Sequence, residues 1–238
     1  MANDWFEFKQ FKVFQGKAAM KVGTDGVLLG AWSHIDGHED ILDIGTGTGL
    51  IALMCAQRSK NNRIDAVELD PSACEQATEN FNLSPWSERL RVFCSSIQDF
   101  AIDAERKYDQ IVSNPPFFKP SSKAYSKERQ MARDNESLSF ESLLSSVKQL
   151  LKDNGKFSVI LPYDTSVLFV VIAGQFKLYL NRETIVLPTL NSKPKRVLLS
   201  FSFQAKEVIK DQLVIEPEER HEYSEAYKTL CKDFYLKF

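Results

Sequence analysis

Residues 111–120 read IVSNPPFFKP, a run that starts like a buried strand and ends in Asn114-Pro115-Pro116-Phe117. Two prolines stop a strand, and the residue before a proline is held extended. Such a corner fixes a side-chain amide, a backbone carbonyl and an aromatic ring in space. It suits the chemistry of a planar amino nitrogen, which carries two N–H donors and a lone pair delocalised into its ring. The amide oxygen of Asn114 and the carbonyl oxygen of Pro115 can accept both hydrogens. That holds the nitrogen pyramidal and turns its lone pair toward an electrophile. Pro116 helps to fix the carbonyl's direction, and Phe117 can stack on the base. No general base is needed, because the proton can leave after the new bond forms. The plainer alternative is a proline turn with Phe117 or Phe118 packed in the core.

A second cluster lies upstream. In LDIGTGTGL, Gly45, Gly47 and Gly49 separate an apolar run from a helical one. Backbone there can approach a ligand closely, and a helix N-terminus favours anionic groups. The G-x-G-x-G spacing differs from the G-x-G-x-x-G dinucleotide fingerprint, which counts against a hydride-transfer enzyme. About 20 residues on, Glu68 ends the strand-like AVELDP, where a carboxylate can accept from both hydroxyls of a ribose. A glycine turn with a surface acid would need no ligand. Together with the proline corner and an alternating β/α context, the pair points to a nucleoside-containing cofactor.

These groups meet only if particular elements hold them. From Asp40 apolar runs alternate with helical stretches: DILDIG, LIALMCAQR, RIDAVEL, PSACEQATENFNL with Pro71 in its first turn, LRVFCSS and YDQIVSN. LSFESLLSSVKQLL reads as a helix stopping at the C-cap pair Asn154-Gly155, before a strand GKFSVILP. Helical TSVLFVVIAGQF then precedes KLYLNRETIVLP and KRVLLSFSFQ, a hairpin around TLNSKPK. The alternation implies a Rossmann-like α/β fold: a mostly parallel, seven-stranded sheet with an antiparallel edge hairpin and helices on both faces. Ligands in such a sheet sit at the carboxyl ends of the strands, so Gly45, Glu68 and Asn114 should line one crevice. That domain spans 39–238. Residues 1–38, with FKQFKVF as a strand or hairpin arm and VLLGAWSHI as a brief helix, form an extension expected beside the crevice.

The 238 residues, 43% hydrophobic and 26% charged, fit one large globular domain. A net charge of −2 requires any nucleic-acid partner to use a local basic patch. Four cysteines without CxxC spacing read as buried thiols of a reducing compartment. Three scattered histidines predict no metal site. The acidic start MANDWFEFKQF lacks a signal-peptide apolar core, and Val167–Ala173 is too short to cross a bilayer, so a cytoplasmic protein that does not engage membranes is expected.

DIGTGTG, VELD and SNPPFF together resemble the class I S-adenosylmethionine-dependent methyltransferases that modify planar amino nitrogens, over nearly the whole chain. FKQFKVFQGKAAMKVGTDGVLLGAW is similar to the opening of the bacterial tRNA (valine) adenine-N6 methyltransferases, which act on the adenine 3′ of the anticodon, position 37. The resemblance implies S-adenosylmethionine as cofactor and tRNA as substrate. It implies that Thr24 lies near the methionine part, that Asp43, Gly45, Thr46 and Gly47 cradle methionine and ribose, and that Glu68 holds the ribose hydroxyls. Asn114 would border both cofactor and substrate. Many relatives place an Asp after the third strand to contact the cofactor adenine. Here Ser96 stands there, with Asp99 three residues on, and either could make that contact.

Lys119, Lys123, Lys127, Arg129 and Arg133 follow the proline corner, where a nucleic-acid backbone would pass; Lys193, Lys195 and Arg196 form a smaller cluster in the hairpin. An adenine in an anticodon loop is already poorly paired and costs little to extrude. Ribosomal RNA guanine-N2 and protein glutamine-N5 methylation share the corner's chemistry and stay open. A nucleotide-dependent oxidoreductase and a non-catalytic RNA-binding protein are remoter. No DNA partner is expected, since no separate recognition domain fits, and a monomer is expected.

Overall fold

The computed structural model describes residues 3–35, 37, 39–116, 138–217 and 222–237. Eight strands form one sheet in the order β10-β8-β9-β7-β6-β3-β4-β5. They are β3 (Asp40–Ile44), β4 (Arg63–Glu68), β5 (Leu90–Cys94), β6 (Tyr108–Ser113), β7 (Leu151–Pro162), β8 (Tyr179–Thr189), β9 (Arg196–Ser202) and β10 (Ile209–Glu216). The pairs from β5 through β7 are parallel, while β9 runs antiparallel to both β7 and β8. The expected hairpin is therefore present. One further strand, β10, extends the sheet beyond it, parallel to β8.

Among the described residues the helices are α1 (Thr24–Trp32), α2 (Leu50–Arg58), α3 (Pro71–Asn82), α4 (Ile97–Asp103), α5 (Phe140–Leu150), α6 (Ser166–Gln175) and α7 (Glu225–Cys231). Strand alternation splits the core into two layers. Ile41, Ile64, Val112 and Ile160 face the layer that holds α1 and α2. Leu42, Ile44, Ile111 and Val159 face the layer of α5 and α6. Strand β3, which lies inside the sheet between β6 and β4, is buried along its whole length, as a strand covered on both faces must be.

One boundary differs from the sequence reading. α5 stops at Leu150, and Asn154-Gly155 lies inside β7. The pairing jumps from Tyr108↔Leu151 to Gln110↔Lys156, so the turn-forming pair marks a bulge rather than a helix cap.

The N-terminal residues pair as a hairpin, β1 (Trp5–Glu7) with β2 (Lys12–Phe14). Phe8, Phe11 and Val13 are buried in the same layer as α1 and α2. Asn80 of α3 grips the backbone of Phe14 from both sides, its Oδ1 accepting from the Phe14 N–H and its Nδ2 donating to the Phe14 carbonyl, each at 2.8 Å.

Candidate active site at the carboxyl ends of the strands

The carboxyl ends of β3, β4, β5 and β6 open onto a cavity of about 840 Å³, within the size range of a cofactor site. Of the residues singled out in the sequence, Gly45, Gly47, Glu68, Ser96, Asn114 and Pro116 line it. The doubly wound topology brings them together, since each lies at or just beyond the carboxyl end of a strand.

Gly45 and Gly47 have φ of +71° and +56°. A Cβ built on either would meet no atom within 4 Å, so both leave open space where a side chain would intrude. Their N–H groups are fixed from β4: Gly45 donates to the Val67 carbonyl, and Gly47 donates to Glu68 Oε2 at 2.8 Å. Glu68 Oε1 also accepts from the N–H groups of Leu69 and Asp70. Three of a carboxylate's roughly four acceptor sites are thus taken, and one at Oε2 remains for a ligand hydroxyl.

Asp43 and Thr46 stand behind this wall. The Thr46 hydroxyl donates to Asp43 Oδ2 at 2.6 Å, and the Ala52 N–H donates to the same oxygen at 3.2 Å. Asp43 is fully buried, and burial pushes its carboxyl up to about 7 against those two hydrogen bonds. Its Oδ1 is buried without a partner among the described residues.

Asn114 directly follows β6. Its Oδ1 is likewise buried and has no partner among the described residues, although the side chain borders the cavity. An orphaned buried acceptor is costly in isolation. At a cavity wall it is the mark of a site shaped for a donor that arrives with a ligand. Pro115 is buried and Pro116 exposed. Phe117, together with Lys119, Lys123, Lys127, Arg129 and Arg133, lies outside the described residues.

Ser96 is the N-cap of α4. Its Oγ accepts from the Asp99 N–H at 3.0 Å and donates to Asp99 Oδ2 at 2.7 Å, a reciprocal cap. Asp99 is spent on that cap and is not among the residues lining the cavity. Thr24 opens α1 and does not line the cavity either. Its neighbour Asp25 pairs with Arg196, Nε to Oδ2 at 2.7 Å. Arg196 also donates to the Lys195 carbonyl, while the Lys195 side chain is exposed.

Sequence reasoning missed Ala18, Ala19 and Met20, and the apolar lining from Leu69, Ile97 and Leu138. Leu69 and Ile97 follow β4 and β5, so the strand-end rule alone could have found them. Nothing in a local pattern could have found Ala18–Met20. A long-range bond places them, the Lys17 N–H to Gln76 Oε1, helped by a local one from the Val22 N–H to Gln15 Oε1.

No group of metal-ligating side chains occurs among the described residues. No helix among them is long and apolar enough to cross a membrane.

A family model, the methyltransferase small domain, matches residues 16–165. A tRNA1(Val) (adenine(37)-N6)-methyltransferase of Bacteroides fragilis is 47% identical over 100% of either chain. Proteins of the same name from Flavobacterium psychrophilum and Pectobacterium carotovorum are 49% and 46% identical, covering 98% and 99% of this chain and 99% and 95% of theirs. Among solved structures, a predicted O-methyltransferase of Agrobacterium tumefaciens aligns with a TM-score of 0.69 at 16% identity, over 88% of this chain and 96% of that one. A ribosomal protein L11 methylase of Lactobacillus delbrueckii aligns at 0.56 and 14% identity, over 80% and 83%. At such identities these two report the fold alone.

Proposed function

The chain belongs to the tRNA1(Val) (adenine(37)-N6)-methyltransferase family, and from that premise we propose how its cavity performs the reaction. The enzyme transfers a methyl group from S-adenosylmethionine to the N6 amino group of adenine 37 in tRNA. S-adenosylmethionine fits the residues present: glycines that leave room for it and a remaining acceptor site on Glu68. Bound there, it supplies an electrophilic methyl group.

The chain's own residues do the rest. Gly45 and Gly47 bring backbone against the methionine and ribose, with Thr46 and Asp43 bracing the turn from behind. Glu68 Oε2 accepts from a ribose hydroxyl. Leu69 and Ile97 offer apolar surface to the cofactor's base, and Ser96 lies at the same edge. Thr24 reaches the methionine end only indirectly, through the position of α1. Asn114 Oδ1 and the Pro115 carbonyl accept the two hydrogens of the target amino group and aim its lone pair, as oriented acceptors do where charge develops. The proton then leaves the alkylated nitrogen, so no side chain acts as base. Phe117 stacks on the adenine. Lys195 and the basic residues from Lys119 to Arg133 meet phosphates. Arg196 serves them while held by Asp25.

The observation that carries this reading is the buried Asn114 Oδ1 at the cavity wall, which has no partner among the described residues. Labelled methyl transfer from S-adenosylmethionine to unmodified tRNA, followed by nucleoside analysis, tests it. N6-methyladenosine at position 37 of valine tRNA is the expected product. Label in ribosomal RNA guanine or protein glutamine would move the substrate while keeping the chemistry. A protein that binds no cofactor would overturn both.

A further inference from the structure

Two cysteines meet at the rim of this cavity without entering the mechanism. Cys74 lies in the first turn of α3 and is buried; its thiol donates to the Glu68 carbonyl, with Sγ and O 3.2 Å apart. Cys94 ends β5, is exposed, and is the register partner of Glu68 across the β4–β5 ladder. Both cysteines therefore stand beside Glu68, one against its carbonyl and the other as its neighbour in the ladder. The Glu68 carbonyl is a shared anchor, because the N–H of Ser95 donates to it as well, at 2.9 Å. The residues next to the pair, Ala73 and Ser95, both line the cavity.

We propose that Cys74 and Cys94 form a dithiol oxidation site, which hydroperoxides convert to a disulfide that lowers affinity for the cofactor. The coupling to cofactor rests on the function proposed above; the disulfide itself does not. Cys94 is the member that solvent reaches, so its thiolate attacks the peroxide. The O–O bond breaks, hydroxide leaves (an alkoxide, if the hydroperoxide is organic), and Cys94 becomes a sulfenic acid. The Cys74 sulfur then attacks the Cys94 sulfur and expels its hydroxyl, which takes the Cys74 proton and departs as water. Two thiols are oxidised and one hydroperoxide is reduced. Burial, with Cys94 alongside, pushes the Cys74 thiol up to about 12, so Cys74 is not the first attacker. The new bond would tie the first turn of α3 to the end of β5. Those are two walls of the cavity, on either side of the carboxylate assigned to the ribose.

The other cysteines cannot substitute, since Cys55 and Cys231 are buried in the core layer of α1 and α2. The test is to treat the purified protein with hydrogen peroxide, count free thiols, and map the linkage by non-reducing peptide mass analysis. Binding of S-adenosylhomocysteine is measured in parallel. The expected result is loss of two thiols and of two hydrogens within a Cys74–Cys94 peptide pair, with affinity falling about ten-fold and returning on reduction with dithiothreitol. Cys94→Ser and Cys74→Ala should each keep the reduced protein's affinity through peroxide treatment. Both thiols still free, or Cys94 oxidised alone to a sulfinic acid, would overturn the site. A mapped disulfide with unchanged affinity would overturn its coupling to the cavity. Reduced protein that binds no S-adenosylhomocysteine would refute the cofactor assignment instead, and the thiol count would still decide the disulfide.

Discussion

At the scale of single residues, Asn114 and Asp43 differ in what their orphaned oxygens imply. Asn114 Oδ1 borders the cavity, so its loss should fall on chemistry rather than on cofactor binding. Asn114→Ala is expected to hold cofactor affinity within about three-fold while lowering turnover by about two orders of magnitude or more. Normal single-turnover rates in a variant that had lost its cofactor would contradict that role. Asp43 is sealed behind the glycine turn, and its carboxyl sits at about 7 instead of 3.8. Between those values the folded protein holds a proton that the unfolded chain has released. Its contribution to stability is therefore complete below about pH 4 and is lost as the pH rises to about 7. In urea unfolding of ligand-free protein, Asp43→Asn should gain on the parent by about 1 kcal/mol per pH unit across that window and level off above it. A difference independent of pH would sink this assignment.

At the scale of elements, the layer of α5 and α6 depends on aromatic packing. Phe169 of α6 is fully buried, its ring edge-on to Phe140 at 4.8 Å and 5.8 Å from Phe201. Phe169→Ala should cost about 3–5 kcal/mol in chemical denaturation, while Val167→Ala on the exposed face of the same helix should cost little. The alternation of runs in the sequence made most of these elements legible, and with them the crevice and its Gly45, Gly47, Glu68 and Asn114. Four features were not. α4 is only seven residues long and is nucleated by the Ser96 cap more than by an apolar stripe. β10 exposes Lys210 and Asp211 at the sheet edge, so its first half shows no apolar alternation. Asn154-Gly155 does carry a turn signal, but the paired register of β6 and β7 turns it into a bulge. Ala18–Met20 reach the cavity through side-chain bonds from α3, and such bonds leave no periodicity to read.

At the scale of the whole molecule, a net charge of −2 leaves tRNA affinity to local cations. Binding should weaken steeply with salt, and Lys195→Ala should lower the slope of log affinity against log salt by about one, with little change in cofactor binding. An unaltered slope would remove Lys195 from the phosphate surface. The hairpin β1–β2 carries a different consequence, one of timing. The Lys9 N–H donates to the Phe234 carbonyl at 2.8 Å, and the Phe8 ring stacks on Tyr235 at 5.9 Å. The hairpin segment thus finds its permanent partners in one made more than two hundred residues later. Because β3 pairs with both β4 and β6, the sheet can assemble outward while synthesis proceeds, but the hairpin must wait. Its exposed aromatics would then be the surface for a chaperone to shield until residues 227–235 have emerged.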